Sequence, residues 1–171
     1  GYTSSYACID KPNPNEGVVC TRRGHVTQLS PTNHTTSGGV LTHFYGRRFV
    51  NATTTIKTND LDWTHITWHN ATWISAVSPA GTGKAYAVVI VIDSIVADTT
   101  EIQFSYAPPQ ITSTVAPGFG GGSLQLSGLN FGADKNKLEI MTYEDGGCSR
   151  ACDSPEITAN GVTCTFTGQG T

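Results

Sequence analysis

Three asparagines stand in the N-x-S/T pattern at which N-linked sugars are attached. They open the triplets Asn33-His-Thr, Asn51-Ala-Thr and Asn70-Ala-Thr, all within about forty residues and all with threonine in third place. One such triplet is common by chance, whereas three in a short stretch favour a chain that passes through the secretory pathway. The sequence therefore predicts N-glycosylation at all three positions and an extracellular or cell-surface location.

Two of these asparagines follow an aromatic residue by two positions. Phe49 precedes Asn51, and Trp68 precedes Asn70. On a strand, residues i and i+2 point to the same face, so each ring could lie under the first sugar, whose apolar C–H face stacks on an aromatic ring. We predict that Phe49 and Trp68 are glycan-stacking residues, with burial of Phe49 in the core as the alternative.

The cysteines fit an oxidising compartment better than a cytosolic metal site, and their odd number leaves one thiol over. None of them falls within residues 24–107. Two would lie on the arms of one N-terminal hairpin and could pair, and a bridge from residues 1–23 to a neighbouring unit is a further alternative. All five are disulfide candidates: Cys8, Cys20, Cys148, Cys152 and Cys164.

No arrangement of residues indicates catalysis, a cofactor or a metal. A Ser/His/Asp constellation is not identifiable, the glycine-rich Gly81–Lys84 lacks the phosphate-loop spacing and predicts a tight turn, and the aspartates lack the spacing of a calcium loop. We expect a non-enzymatic protein without cofactor. The polar residues weighed and set aside as ligands are Asp60, Asp62, Asp134, His65 and His69.

Aromatic and histidine residues cluster in one stretch, at Trp63, His65, Trp68, His69 and Trp73. Regular alternation would place Trp63, His65 and His69 on one side of a strand, with Trp68 and Asn70 on the other. Core and cross-strand packing is the default interpretation. A carbohydrate-binding aromatic face is the alternative.

The composition excludes two classes of partner. Only 13% of residues are charged and the net charge is −3, whereas a nucleic-acid binder carries a basic patch or stripe. The longest apolar run, Ala85–Ile92, is far shorter than the ~18 residues that indicate a membrane helix. We expect no nucleic-acid partner and no membrane span in these residues.

The chain contains two copies of one unit, which is the feature to seek first. Matched residues are 82–87 positions apart, in the pairs Pro31/Pro117, Phe49/Phe131 and Gly81/Gly168. Alternating segments between Gly and Pro clusters predict an all-β protein of tandem sandwiches without helix. The predicted strands are 5–9, 18–22, 25–29, 39–45, 54–58, 64–68, 72–77, 85–92, 101–106, 110–115, 123–127, 137–142 and 161–166.

The second copy lacks the hairpin that closes the first, and residues 1–23 look like that hairpin. Ile9-Asp10, for example, aligns with Ile92-Asp93. A sandwich without its last hairpin exposes an unpaired edge. We therefore predict three parts: a hairpin over 1–23 that completes the second module of a neighbouring unit, a first sandwich over 24–107, and a second over 108–171.

The neighbouring unit has two physical origins. Either these residues are one period of a longer covalent array, or one protomer donates strands to the next. Strand donation of this kind is head-to-tail, and an open head-to-tail contact generates a filament. A flexible leader on a truncated fragment is the remaining interpretation.

The segment Pro108–Gly132 contains Pro-Pro-Gln-Ile-Thr-Ser-Thr-Val-Ala-Pro, then a glycine triplet, then Leu-Gln-Leu-Ser-Gly-Leu-Asn-Phe-Gly. It resembles the opening of an IPT/TIG domain. Val88–Asp93 and Phe104–Pro109 resemble the close of the same family. In the first copy, Tyr45-Gly-Arg-Arg-Phe49 departs from the family's Gly-x-Asn-Phe-Gly pattern. The resemblance implies immunoglobulin-like E-set sandwiches, and a partner for Cys164 in Cys148 or Cys152.

The family occurs in surface receptors and adhesion proteins, among others, so its fold does not fix a function. We expect a structural subunit or repeat of an extracellular glycosylated filament or surface stalk, assembled head to tail through β-strand complementation. Its partners would be itself and its N-linked glycans. The alternative is an adhesion or receptor ectodomain module that binds a protein or glycan, and an accessory domain of a polysaccharide-active enzyme is the third.

Overall fold

The computed structural model describes residues 6–10, 18–116, 122–143, 149–152, 154–158 and 161–166. Their regular structure is β, apart from one 3₁₀ turn at Lys135–Lys137. Neighbouring strands in the four-stranded sheets are antiparallel. These findings confirm the prediction of an all-β sandwich protein. No helix among the described residues is long and apolar enough to cross a membrane.

Contacts divide the chain into two compact units. Of the described residues, those in Gly1–His34, Gly38–Pro79 and Gly83–Ser105 form the first unit, and those in Thr35–Ser37, Ala80–Thr82 and Tyr106–Thr171 form the second. The bounds 1–23, 24–107 and 108–171 stay predictions, as does completion of the second module by a neighbour's hairpin.

Two four-stranded sheets form the body of the first unit, in the orders β3-β5-β9-β8 and β11-β10-β6-β7. Two further pairs, β1 with β2 and β4 with β12, form sheets of their own. The strands are β1 (Tyr6–Asp10), β2 (Val18–Arg22), β3 (His25–Ser30), β4 (Asn33–His34), β5 (Leu41–Arg47), β6 (Thr54–Thr58), β7 (Leu61–Asp62), β8 (Thr64–Asn70), β9 (Trp73–Val77), β10 (Val88–Ile92), β11 (Ile95–Val96) and β12 (Ser105–Tyr106).

Alternation and turn chemistry explain these strands. In β5, Thr42 and Phe44 are buried while Tyr45 is exposed, so one face of the sheet meets the core and the other meets solvent. Two-residue turns with positive φ at both positions close two hairpins, as type I′ turns do. These turns are Asn59–Asp60, between β6 and β7, and Asp93–Ser94, between β10 and β11.

The second unit contains one four-stranded sheet, in the order β13-β14-β18-β17, and the separate pair β15-β16. Its described core is small, with Leu124, Leu126, Val162 and Cys164 buried. Partly buried side chains such as Phe131 pack against it. The strands are β13 (Gln110–Val115), β14 (Gly122–Leu129), β15 (Met141–Tyr143), β16 (Ser149–Ala151), β17 (Pro155–Thr158) and β18 (Gly161–Phe166).

Most predicted strands are present within a few residues of their expected bounds. Two differ more. The strand predicted over 101–106 is regular only at Ser105–Tyr106, and the one predicted over 137–142 begins as the 3₁₀ turn and becomes a strand at Met141–Tyr143. The short strands β4, β7, β11, β16 and β17 were not predicted.

Candidate functional site

All three sequon asparagines are exposed. Asn33 lies in β4 and Asn70 ends β8, while Asn51 follows β5 in a bend. A sugar could therefore leave each side chain into solvent. Glycosylation at these positions stays a prediction.

Asn70 has a defined side-chain geometry. Its Oδ1 accepts a hydrogen bond from the backbone N–H of Thr72 at 2.8 Å and from the Thr72 hydroxyl at 2.6 Å. Thr72 is the third residue of the sequon. Because both bonds use the amide oxygen, the nitrogen Nδ2, which is the atom that carries an N-linked sugar, is left on the other side of the amide.

The two predicted stacking residues lie in different environments. Phe49 is 1% exposed, so its ring belongs to the core, as the alternative interpretation has it, and is not presented to a sugar on Asn51. Trp68 is 37% exposed. Its predicted stacking on a sugar at Asn70 required regular alternation between the two residues, which the register of β8 does not show.

Two register shifts in β8 change which side chains share a face. The shifts fall between Thr64 and Thr67 and between Trp68 and Asn70. Trp68 is opposite Ile74 and Asn70 is opposite Trp73, which are neighbours on β9. Because neighbours on a strand point to opposite faces, Trp68 and Asn70 do not share one. The ring on the face of Asn70 is that of Trp73.

Trp63 lies in the core and not on a carbohydrate-binding face. It is 4% exposed, and its Nε1–H donates a 2.8 Å hydrogen bond to the hydroxyl of Thr58. Its ring meets those of Phe44 and Phe104 edge to face, each with centroids 5.2 Å apart. The expectation that alternation sets Trp63 beside His65 and His69 is wrong, because the first register shift follows Thr64 and His65 has a φ of 50°.

Aromatic rings form a row across three strands on the solvent face of the β3-β5-β9-β8 sheet. His69 of β8 stacks on Trp73 of β9 with centroids 3.6 Å apart and planes 6° apart. Trp73 in turn stacks with its cross-strand partner Tyr45 at 6.2 Å, and His43 lies 5.3 Å from Trp73. We call these four side chains, His43, Tyr45, His69 and Trp73, the ring row.

The ring row also covers a polar residue. Ser75 points to the same face, since it pairs with His43, yet it is only 4% exposed. Its hydroxyl lies 2.9 Å from Nε2 of His69. This bond holds the His69 ring over Trp73 and leaves the outer side of an exposed imidazole facing solvent.

The strand β3 of the first unit is covered along its outer edge. The N–H of Val26 donates to the carbonyl oxygen of Asp98 and the N–H of Asp98 donates to that of Gly24, both at 2.8 Å. Val26 is fully buried. The His25 side chain adds two contacts with carboxyl groups, at 3.3 Å to Asp98 and 3.4 Å to Glu101.

The carboxyl of Asp98 is held in its ionised form. The hydroxyl and N–H of Thr100 donate to Oδ1 at 2.8 and 3.2 Å, and these bonds, with a smaller contribution from His25, lower the pKa of Asp98. The segment that covers β3 therefore carries a stable negative charge beside His25.

The strand β13 occupies the same place in the second unit, and no described residue pairs with its outer edge. In both units the outer strand has a bulge, after Val26 in β3 and after Ile111 in β13. Val26 is opposite Gly46 and Ile111 is opposite Gly128. The two positions are thus equivalent, yet Ile111 is 54% exposed.

All six residues of β13 are exposed. Val115 is 60% exposed, and the strand stands at the end of its sheet, with β14 as its one strand partner within the described part of the chain. An edge strand with exposed apolar side chains is a template for pairing with another strand. The β1-β2 hairpin is likewise without a third strand among the described residues.

The cysteines divide into three cases. Cys152 and Cys164 form a disulfide, with Cα atoms 5.7 Å apart, which is one of the two pairings implied for Cys164. Cys8 and Cys20 are opposite one another in the β1-β2 register, and their pairing stays a prediction. Cys148 lies outside the described residues.

The residues set aside as ligands have structural roles. Asp60 lies in the turn before β7, Asp62 pairs with Lys57 at 3.3 Å, and Asp134 accepts from the N–H of Asn136 at the start of the 3₁₀ turn. No helix follows Lys84, since the next regular strand is β10. Within the described ranges, no three His, Cys, Asp or Glu residues are grouped so as to hold a metal ion.

No family model matches the sequence, and no curated protein matches it. Solved structures with a similar fold include the full extracellular region of plexin A4, at 14% identity and a TM-score of 0.45 over 85% of this chain. They also include SGBP-B from a complex xyloglucan utilization locus in Bacteroides uniformis, at 18% identity and a TM-score of 0.37 over 86% of this chain. The chain spans 13% of the plexin chain and 44% of the second.

A third similar structure is SGBP-B of the Bacteroides ovatus mixed-linkage glucan utilization locus, in complex with a mixed-linkage heptasaccharide. Its identity is 14%, its TM-score is 0.37, and the match covers 83% of this chain and 36% of that one. The resemblance to the IPT/TIG family stays a prediction from the sequence.

Proposed function

We propose that this chain is a non-enzymatic, extracellular structural module of IPT/TIG type that assembles head to tail. In this arrangement the β1-β2 hairpin of one unit covers the β13 edge of the next. The observation that carries the proposal is the contrast between Val26, which is fully buried, and its equivalent Ile111, which is 54% exposed.

The first unit supplies the pattern for this contact. There, the segment that follows β10 and β11 bonds to the edge of β3 at Asp98, and Val26 is fully buried. A second hairpin at the equivalent place would satisfy the free edge of β13 and bury Ile111. Residues 1–23 resemble the closing segment of the first unit in sequence, and β1 and β2 pair with each other in register.

The free energy of this contact can be estimated from the side chains that it would bury. Burying one large aliphatic side chain stabilises a contact by roughly 1.5–3 kcal/mol. Replacing Ile111 by aspartate should therefore weaken association by roughly 10- to 100-fold. Val96→Asp is the matched control, because Val96 is equally exposed, at 50%, but lies on β11 of the first unit.

Sedimentation velocity and negative-stain microscopy of the full chain test the proposal. We expect the native chain and Val96→Asp to form extended assemblies, and Ile111→Asp and a chain without residues 1–23 to sediment as single units. Adding back a synthetic peptide of residues 1–23 to the shortened chain should bind it and block assembly. Equal assembly by the native chain and Ile111→Asp would refute the role of β13.

A binding module is the second candidate function, and the ring row favours it. An exposed row of aromatic rings on a sheet is a surface to which the C–H faces of sugars adhere. Glycan-array binding that is lost in Tyr45→Ala, in a chain that remains a single unit in sedimentation, would support this function over assembly.

A further inference from the structure

The ring row and the Asn70 sequon lie on one face of the same sheet. Asn70 is the direct cross-strand partner of Trp73, and side chains in such a pair have Cβ atoms roughly 5 Å apart. A pyranose ring is about as wide as that separation. The first sugar of a chain on Nδ2 of Asn70 therefore reaches the ring row without any intervening linker.

The second register shift of β8 produces this arrangement. It sets Asn70 opposite Trp73 and leaves His69 as the extra residue, whose ring then stacks on Trp73 at 3.6 Å. With regular alternation His69 and Asn70 would point to opposite faces. The shift thus brings an exposed imidazole, an indole and a sequon asparagine together on the solvent face.

We propose that the first N-acetylhexosamine on Asn70 packs against the ring row, with its apolar C–H face on the outer face of His69, whose inner face stacks on Trp73. The proposal rests on occupancy of the sequon and not on head-to-tail assembly. The amide oxygen of Asn70 is fixed by Thr72 at 2.6 and 2.8 Å, so the direction of Nδ2 is fixed as well and the sugar begins from one defined position.

The other sequons provide internal comparisons. The aromatic residue nearest to Asn51 in sequence, Phe49, is 1% exposed, and the residue beside Asn33, His34, is also 1% exposed. A sugar on Asn51 or Asn33 therefore finds no exposed ring at the neighbouring sequence positions. Only the Asn70 sugar should contribute to folding stability through a ring.

The test measures the Tm of the full chain, secreted from a host that attaches N-linked sugars, with occupancy of each sequon read by mass spectrometry. The variants are Asn70→Gln, Asn51→Gln and Asn33→Gln. A further sample is trimmed with an endoglycosidase that leaves only the first sugar. We expect Asn70→Gln to lower the Tm by roughly 2–4 °C, the effect of one ring contact in a chain of this size. Trimming and the other two variants should leave the Tm unchanged.

A double-mutant cycle assigns the effect to the ring row. Removing the sugar by Asn70→Gln should lower the Tm in the His65→Ala background as in the native chain, since His65 is an exposed histidine of the same strand. In the His69→Ala background the loss should vanish. His69 is exposed, so this variant is expected to fold, and Trp73→Leu provides a second background.

Three outcomes would overturn the proposal. The first is an unoccupied Asn70 in the secreted protein. The second is an equal loss of Tm from Asn70→Gln in the His69→Ala and His65→Ala backgrounds. The third is binding of a soluble oligosaccharide to the fully glycosylated chain that disappears in His69→Ala, since it would show that the ring row is open to an external ligand.

Discussion

A histidine in the core makes the stability of the first unit depend on pH. His34 is 1% exposed, and its ring meets those of Phe104 and Trp63 edge to face at 4.6 and 5.7 Å. Nε2 lies 2.9 Å from the carbonyl oxygen of Pro31, so this nitrogen carries the proton and donates. Nδ1 is buried without a hydrogen-bond partner.

Burial lowers the pKa of His34, and the smaller opposing effect of the bond to Pro31 does not reverse it. The folded state therefore binds a proton less readily than the unfolded state, whose pKa is about 6.5. Stability is fully present above pH ~6.5 and falls as the pH drops below that value. The loss reaches at most about 1.4 kcal/mol per pH unit, until folded His34 is itself protonated.

Urea unfolding at pH 7.5, 6.5 and 5.5, followed by tryptophan fluorescence, measures this slope. Trp63, Trp68 and Trp73 are the tryptophans of the chain and all lie in the first unit. His34→Gln is the comparison, because its amide can still donate to Pro31. We expect the native chain to lose more stability than His34→Gln between pH 6.5 and 5.5, by up to about 1 kcal/mol.

The comparison removes the contribution of the other histidines. His25, for example, lies within 3.4 Å of the carboxyls of Asp98 and Glu101, and whatever this contact contributes to stability is an effect of its own. That effect is present in both proteins and cancels in the difference. Parallel stability curves for the native chain and His34→Gln would refute the reasoning, since they would mean that no proton uptake at His34 accompanies unfolding.

Two more predictions concern the packing of the units. Gly46→Ala and Gly128→Ala should each destabilise their own unit by about 1–3 kcal/mol, because an added Cβ would overlap the carbonyl oxygens of His25 and Gln110. Gly24→Ala is the control in thermal unfolding, because its added Cβ would meet neighbouring atoms only at 3.5 Å or more, and an equal loss there would contradict the steric argument. Replacing Cys152 by serine and Cys164 by alanine in one variant should destabilise the second unit by about 3 kcal/mol, since the bridge closes a loop of 12 residues. Hydrogen exchange of the backbone amides in β14 and β18 measures this loss. Unchanged protection of these amides would argue against a structural role for the bridge.

Local patterns in the sequence predicted the strands well because their causes are local. Asn59-Asp60 and Asp93-Ser94 form turns with positive φ, and the run of β-branched residues in β10 favours a strand. Residue type did not show which face of β10 is buried, because all five of its residues are apolar and Val89 is exposed. Glycosylation was read from the same kind of short pattern, and the exposure of all three asparagines is compatible with it.

The ring row could not be predicted, because it depends on pairing between distant strands. The sequence shows that His43 and Tyr45 alternate with the apolar Phe44, so it could have predicted that His43 and Tyr45 share the solvent face of their strand. It does not show that Tyr45 is opposite Trp73, 28 positions later. Nor does it show the register shift that turns Asn70 toward Trp73, because alternation assumes a regular ladder.

The two repeated units share a glycine that lies opposite a bulge in the outer strand. Gly46 and Gly128 are 82 residues apart, as are Phe49 and Phe131, and each glycine lies opposite a bulge where only a residue without a Cβ fits. Because the backbone is the same at this point in both units, the difference in burial between Val26 and Ile111 cannot come from the strand itself. It comes from what covers the strand. The first unit contains its own cover at Asp98, whereas β13 lies open at the edge of its sheet among the described residues, and this difference is the reason for the proposal that a hairpin from a neighbouring unit covers β13.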